Sequence, residues 1–150
     1  MIKVGDTLPA ATLMEFSEVE GEGCSIGPNP VDVTKASAGK TIALFALPGA
    51  FTPTCSAKHV PGYVEKFHEL KAAGVDEIWC VSVNDAFVMS AWGKQQNVPE
   101  ELHMLADGNG AFADAMGLKF DASAFGMGNR AKRFALYAED GVVKVLHVEA

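Results

Sequence analysis

No cysteine in this chain has a partner close by in sequence. The three cysteines, Cys24, Cys55 and Cys80, are far apart and form no C-x-x-C pair. That excludes dithiol exchange within one short motif, and it excludes a zinc ribbon. Three scattered thiols are also too few for a disulfide framework, so free thiols in a reducing compartment are the simpler reading. No G-x-G-x-x-G stretch is present. The glycines of "GEG" and "GMG" do not build a nucleotide loop. Positive charge is scarce as well: 12 Lys and Arg stand against 19 Asp and Glu, for a net charge of −7, which argues against a nucleic-acid partner. No apolar run approaches the ~20 residues of a membrane span. The opening "MIKVGDTLPA" has no signal-peptide apolar segment. A cytoplasmic protein without a membrane partner is therefore expected. Internal repeats and low-complexity segments are absent too.

What is present fits one globular domain over residues 1–150, since 49% of the residues are hydrophobic and 21% charged. "TIALFAL" (41–47) is a nearly continuous apolar run, which reads as a strand buried on both faces. Val60, Tyr63, Val64, Phe67 and Leu70 then recur at helical spacing. Gly74 is a plausible stop for that helix, and Pro61 is expected to kink it or split off a first turn. "EIWCVSV" (77–83) is a second buried strand, and Asn84 or Asp85 can cap the helix "AFVMSAWGKQQ". "LHMLA" (102–106) predicts a third strand and "GAFADAMG" (110–117) a short helix ending on glycine. "RFALYAEDGVVKVLHVE" (133–149) alternates around Glu-Asp-Gly as a β-hairpin does. Strands alternating with helices predict an α/β fold with a largely parallel central sheet, made mixed by the closing hairpin. Before residue 40 the pattern is weaker: "ATLMEF" (11–16) reads as a strand and "EGEGCSIGPNP" (20–30) as a turn-rich loop.

The stretch "PGAFTPTCSA" (48–57) leaves the first buried strand and reaches Cys55 at the first turn of the next helix. Unpaired N–H groups and the positive end of the helix dipole point there, and both lower a thiol's pKa. The plain alternative is a small apolar residue at a helix start.

"PGAFTPTC" has the P-x-x-x-T-x-x-C pattern of peroxiredoxins, filled by Pro48, Thr52 and Cys55. "PGAFTPTCSAKHVPGY", "VSVNDAFVMSAW", "ADGNGAFADAMGL" and "KRFALYAEDGVVKVLHVE" resemble the type II, peroxiredoxin-five-like subgroup over nearly the whole chain. The resemblance implies a thioredoxin-like fold, a central mixed sheet flanked by helices, with an N-terminal extension. It implies reduction of hydrogen peroxide and organic hydroperoxides by a cysteine thiolate, with no metal or organic cofactor. It further implies a homodimer, and glutathione with glutaredoxin, or thioredoxin, as reductant. The chain stops at Ala150, just after the hairpin. The terminal helix that normally covers one sheet face in this fold is therefore expected to be absent.

In such chemistry the sulfur attacks one peroxide oxygen, hydroxide or alkoxide leaves, and the cysteine becomes a sulfenic acid. A thiol of pKa ~8.5 is only a few per cent ionised at pH 7, so full ionisation gains roughly 30-fold. Lowering its pKa to ~6 costs roughly tenfold in nucleophilicity at a Brønsted slope of ~0.45. The two nearly cancel, so most of the acceleration must come from orienting the peroxide and stabilising the transition state. That gives the neighbours tasks. The Thr52 hydroxyl can bond the sulfur and a peroxide oxygen, and Pro48 limits solvent access; alternatively both merely shape the turn. A fixed cation is needed, and "GNRAKRF" (128–134) offers Arg130, Lys132 and Arg133. Charge alone does not choose between the arginines; the resemblance selects Arg133. His59, four residues after Cys55, is an auxiliary candidate that tunes the charge network, or an ordinary half-buried histidine.

Cys80 reads as a packed, inert strand residue. Cys24 lies in a glycine-rich loop and is a rival for resolving the sulfenic acid. The alternative to a peroxidase is a peroxide sensor or relay that passes oxidation from Cys55 to a partner protein.

Overall fold

The computed structural model describes residues 1–17, 26–53, 58, 60–99 and 101–149. Its framework is a seven-stranded sheet in the order β2-β1-β5-β4-β3-β8-β9. The three inner strands β3 (Thr41–Leu47), β4 (Glu77–Ser82) and β5 (Leu102–Ala106) are mutually parallel. They are the near-continuous apolar runs seen in the sequence, and they are covered on both faces. Ile42, Leu44 and Ala46 point into one cluster with Trp79, Val81 and Leu105. Ala43, Phe45 and Leu47 point into the other with Cys80, Met89 and Trp92. This is period-two alternation within a single run.

Helices α2 (Val60–Glu65), α3 (Phe67–Ala72) and α4 (Ala86–Gln95) supply the second cluster. Helix α5 (Ala111–Met116) supplies Phe112, Ala113 and Met116 to the first. Buried Asp107 starts α5 by accepting from the N–H groups of Phe112 (3.0 Å) and Ala113 (2.9 Å). Strand β8 (Phe134–Glu139) runs antiparallel to β3 and turns back into β9 (Val142–Val148) through Asp140 and Gly141. Both turn residues have positive φ, 51° and 77°, as a two-residue hairpin turn requires. The mixed sheet expected from the element order is therefore present, and so is the thioredoxin-like fold implied by the resemblance, with the N-terminal extension on one edge.

Three details differ from expectation. The stretch read as a loop over 20–30 contains strand β2 (Gly27–Asp32), which pairs with β1 (Thr12–Ser17). Two prolines, Pro28 and Pro30, disguise it. They share one parity on the sheet's outermost strand, so their missing N–H groups face away from β1, and an edge strand tolerates that. The helix interruption falls at Lys66 (φ −93°, ψ 5°) between α2 and α3, not at Pro61. Pro61 sits in the first turn of α2, where proline costs little. A two-stranded ribbon, β6 (Lys119–Asp121) with β7 (Asn129–Ala131), lies off the main sheet. Its three-residue strands are too short to show a period in the sequence. Helix α1 (Val33–Ser37) links β2 to β3 under an Asp32 cap, and a single 3-10 turn, Ser123–Phe125, lies between β6 and β7.

The β1–β2 hairpin joins the sheet through Met14 opposite Ala106 on β5. His103 of β5 reinforces the seam. Its Nδ1 lies 2.7 Å from Glu15 Oε2, and its Nε2 lies 3.7 Å from Glu77 Oε1. Burial alone would lower the His103 pKa, but the hydrogen bond and charge of Glu15, with the charge of Glu77, outweigh it and raise the pKa above 6.5. A histidine whose pKa rises on folding stabilises fully below its unfolded pKa and loses that contribution as pH rises through the folded one. The stability advantage of the native chain over His103→Gln should therefore be greatest below about pH 6.5 and shrink as pH rises above it in urea unfolding. A pH-independent difference would show that the ion pair contributes nothing.

Candidate active site

Strand β3 ends at Leu47, and the chain turns through Pro48, Gly49, Ala50, Phe51 and Thr52. This turn stands at the C-terminal edge of the parallel strands, where α/β sheets place their sites. Three consecutive residues of the turn are held by side chains. The Pro48 carbonyl accepts from Arg130 Nη1 at 3.2 Å. The Gly49 carbonyl accepts from the Thr52 hydroxyl at 2.7 Å. The Ala50 N–H donates to Asn84 Oδ1 at 2.9 Å. The next residue, Phe51, has φ +62°, a conformation unusual for a bulky side chain and one that costs about 1–3 kcal/mol. Its half-exposed ring meets Trp92 at a centroid distance of 6.3 Å.

Each hold has a structural origin. Arg130 belongs to the β6–β7 ribbon, and its Nε also donates to the Met127 carbonyl at 3.0 Å. Asn84 follows β4 and also accepts from the Ser82 hydroxyl at 2.6 Å. Asp85, not Asn84, caps α4, accepting from Val88 N–H at 2.8 Å. Of the two caps allowed by the sequence, the structure uses the second and frees the first to hold the loop. The signal was available: two cap-competent residues stood in tandem where a helix needs one. Nothing in the sequence marked Arg130 as a loop holder, because the contact spans 82 positions.

Thr52 Oγ1 carries one proton, and that proton is engaged by Gly49. Beyond the loop the oxygen has only lone pairs to offer. It suits a protonated peroxide oxygen, which donates, better than a thiolate, which does not. Pro48 is half-buried beside it.

Arg133 stands immediately before β8. The next residue, Phe134, pairs with Ala46 near the end of β3. Arg133 places its Nε 3.1 Å from Glu149 Oε2. It lines a groove of about 450 Å³ with Lys58, Lys66 and His147 at the rim and Phe45, Tyr63, Leu70 and Ala135 as apolar wall. The rings of Phe45 and Tyr63 stack at 3.9 Å. Burial raises the Tyr63 pKa, with a smaller contribution from nearby Cys80, so its hydroxyl stays protonated at neutral pH. The structure thus brings Pro48, Thr52 and Arg133 to one end of β3. Cys55, His59 and Cys24 lie outside the described residues. Cys80 is fully buried in β4.

The chain matches the Redoxin family over residues 3–150. It is 46% identical over 149 residues to Peroxiredoxin-2B of Arabidopsis thaliana, covering 99% of this chain and 88% of that one. The chain belongs to the peroxiredoxin family. It is 49% identical over 150 residues to chloroplastic Peroxiredoxin-2E of Arabidopsis thaliana, covering 99% of this chain but 62% of that protein. The chain thus spans under two thirds of the length of that relative. Reduced Prx3 of Vibrio vulnificus in complex with hydrogen peroxide superimposes with a TM-score of 0.92 at 50% identity, covering 100% of this chain and 89% of that one. A Burkholderia cenocepacia chain described as a thioredoxin reductase gives a TM-score of 0.98 at 58% identity, with 100% and 89% coverage. The peroxiredoxin loop is thus the P-x-x-x-T-x-x-C stretch in folded form, up to Pro53.

The packing leaves no room at Gly49. A Cβ there would lie 2.9 Å from Arg130 Nη1 and 3.2 Å from Thr52 Cγ2. Gly49→Ala must displace Arg130 from Pro48 and is expected to lower unfolding free energy by about 1–3 kcal/mol in urea titrations. Gly62→Ala in α2, whose methyl meets none of the described atoms within 4 Å, is the control and should be neutral or stabilising.

Proposed function

We propose that this chain is a type II, peroxiredoxin-five-like thiol peroxidase. The observation that carries the reading is the first part of the family's loop, from Pro48 to Pro53, at the end of β3, with the Thr52 hydroxyl bonded to Gly49 and Arg133 immediately before β8, the strand paired with β3. In this reading the thiolate of Cys55 attacks the distal peroxide oxygen. The O–O bond breaks, hydroxide or alkoxide leaves and takes a proton, and Cys55 becomes a sulfenic acid. Thr52 accepts from the peroxide O–H and so fixes its angle of approach. Arg133 supplies the permanent charge, and its planar fork suits both the thiolate and the developing oxyanion. The apolar wall of the neighbouring groove supports organic hydroperoxides as substrates beside hydrogen peroxide.

An external thiol closes the cycle in this proposal, glutathione with glutaredoxin or else thioredoxin. Cys80 supports it by being enclosed in the sheet, because a disulfide needs Cα atoms within about 7 Å and an accessible sulfur. Exposed Phe51, whose ring meets Trp92 of α4, and exposed Phe87, on α4 itself, supply apolar surface of the kind that pairs two copies, so the functional unit is proposed as a homodimer. Among the described residues no helix is long and apolar enough to cross a membrane. A cytoplasmic location is proposed because the cycle needs a reducing thiol pool.

Cys55→Ser should abolish peroxide consumption, while Cys80→Ser should leave it largely intact; equal loss in two folded variants would overturn the assignment. Arg133→Ala should slow stopped-flow oxidation of Cys55 by roughly 100-fold or more, as loss of a transition-state donor does. Arg130→Ala should act more weakly, through the loop. A larger defect at Arg130 would reassign the cation. One equivalent of peroxide without added thiol should leave a trappable Cys55 sulfenic acid that glutathione converts to a mixed disulfide. A dominant Cys24–Cys55 bond would refute the external-thiol scheme.

A further inference from the structure

We propose that Asn84 is a positioning residue for the peroxide reaction, acting through the Ala50 peptide and oriented by Ser82. The inference rests on the peroxidase reading above and adds a component outside the P-x-x-x-T-x-x-C loop.

Asn84 Oδ1 accepts twice, from Ala50 N–H at 2.9 Å and from Ser82 Oγ at 2.6 Å. The Ala50 N–H can only donate, so the amide must present its oxygen there; the flipped amide would face donor to donor. Ser82 is fully buried at the last position of β4, in register with Leu47 at the last position of β3. It is therefore fixed by the sheet itself. The chain of contacts runs from the sheet to Ser82, to the Asn84 amide, to the Ala50 peptide. Phe51, with φ +62°, follows at once. Thr52, whose hydroxyl bonds back to Gly49, comes next. Arg130 holds the loop from the ribbon on the other side, at Pro48. Asn84 is the hold that comes from the central sheet.

The consequence for chemistry is geometric. Without the acceptor, Ala50 N–H is left without its partner and the Gly49–Ala50 peptide, whose carbonyl accepts from the Thr52 hydroxyl, is released to rotate just before the left-handed Phe51. Thr52 then loses the fixed position from which its lone pairs meet the peroxide. An error of about 1 Å in such a contact costs up to about 100-fold in rate. Asn84 touches neither substrate nor sulfur in this proposal, so general thiol reactivity should change little.

The test compares two reactions of Cys55 in the whole chain: oxidation by hydrogen peroxide and alkylation by iodoacetamide. Alkylation needs an ionised thiol but no oriented peroxide. Asn84→Ala should slow peroxide oxidation about 10- to 100-fold while alkylation stays within about threefold, with the far-ultraviolet circular dichroism unchanged. Asn84→Asp, which keeps an acceptor oxygen, should recover most of the peroxide rate relative to Asn84→Ala. Ser82→Ala, a milder change that leaves the amide in place, should slow oxidation less. The double variant should be no slower than Asn84→Ala, because both act through one oxygen. If Asn84→Ala does not fold, Ser82→Ala and Asn84→Asp decide. A peroxide-to-alkylation ratio unchanged in both Asn84→Ala and Ser82→Ala overturns the inference, as does an additive double variant. A native chain whose Cys55 reacts with peroxide no faster than free cysteine refutes the peroxidase reading itself.

Discussion

A buried strand that ends in a sharp turn leaves peptide groups that no neighbouring strand can pair. At the end of β3 those groups are satisfied by side chains: Arg130 and Asn84 from elsewhere in the fold, and Thr52 from within the turn itself. Unpaired buried peptide groups cost about 1–3 kcal/mol each, so the turn exists in this form only because its partners are in place. The left-handed Phe51 adds strain that the same contacts must offset. The position of Thr52 follows from this arrangement.

The distribution of charge completes it. The protein is acidic overall, with a net charge of −7, yet the groove at this end of the sheet has Lys58, Lys66, Arg133 and His147 against Glu149. Lysines and an arginine gathered in an acidic protein concentrate positive potential in that groove. The two arginines divide the work. Arg130 is occupied by backbone carbonyls, a fixed structural task. Arg133 faces the groove and is held by Glu149, which fixes its guanidinium without burying it. Charge counting along the sequence could not make that division.

Much of the fold was legible in the residues. The inner strands β3, β4 and β5 were visible because double-sided burial demands an unbroken apolar run. The β8–β9 hairpin was visible because a Glu-Asp-Gly turn between alternating segments has few other uses. Strand β2 was hidden by Pro28 and Pro30, residues that forbid a central strand but not an edge one, and edge position is a tertiary fact. The break at Lys66 was misplaced to Pro61 because proline's effect depends on where its helix begins.

By itself the sequence determined which chemistry was available. A thiol after P-x-x-x-T and no C-x-x-C pair excluded dithiol exchange within one short motif, and the longer motifs carried the resemblance to peroxiredoxins, because these are properties of residue types and spacing. What only the tertiary structure decided was which of those groups meet. Asn84 left the helix cap to Asp85 and took hold of Ala50, 34 positions away. Arg130 reached Pro48 across 82 positions. Thr52 directed its one proton to Gly49. Hydrogen bonds depend on distances of a few tenths of an ångström between atoms on different elements, and no local pattern carries that information.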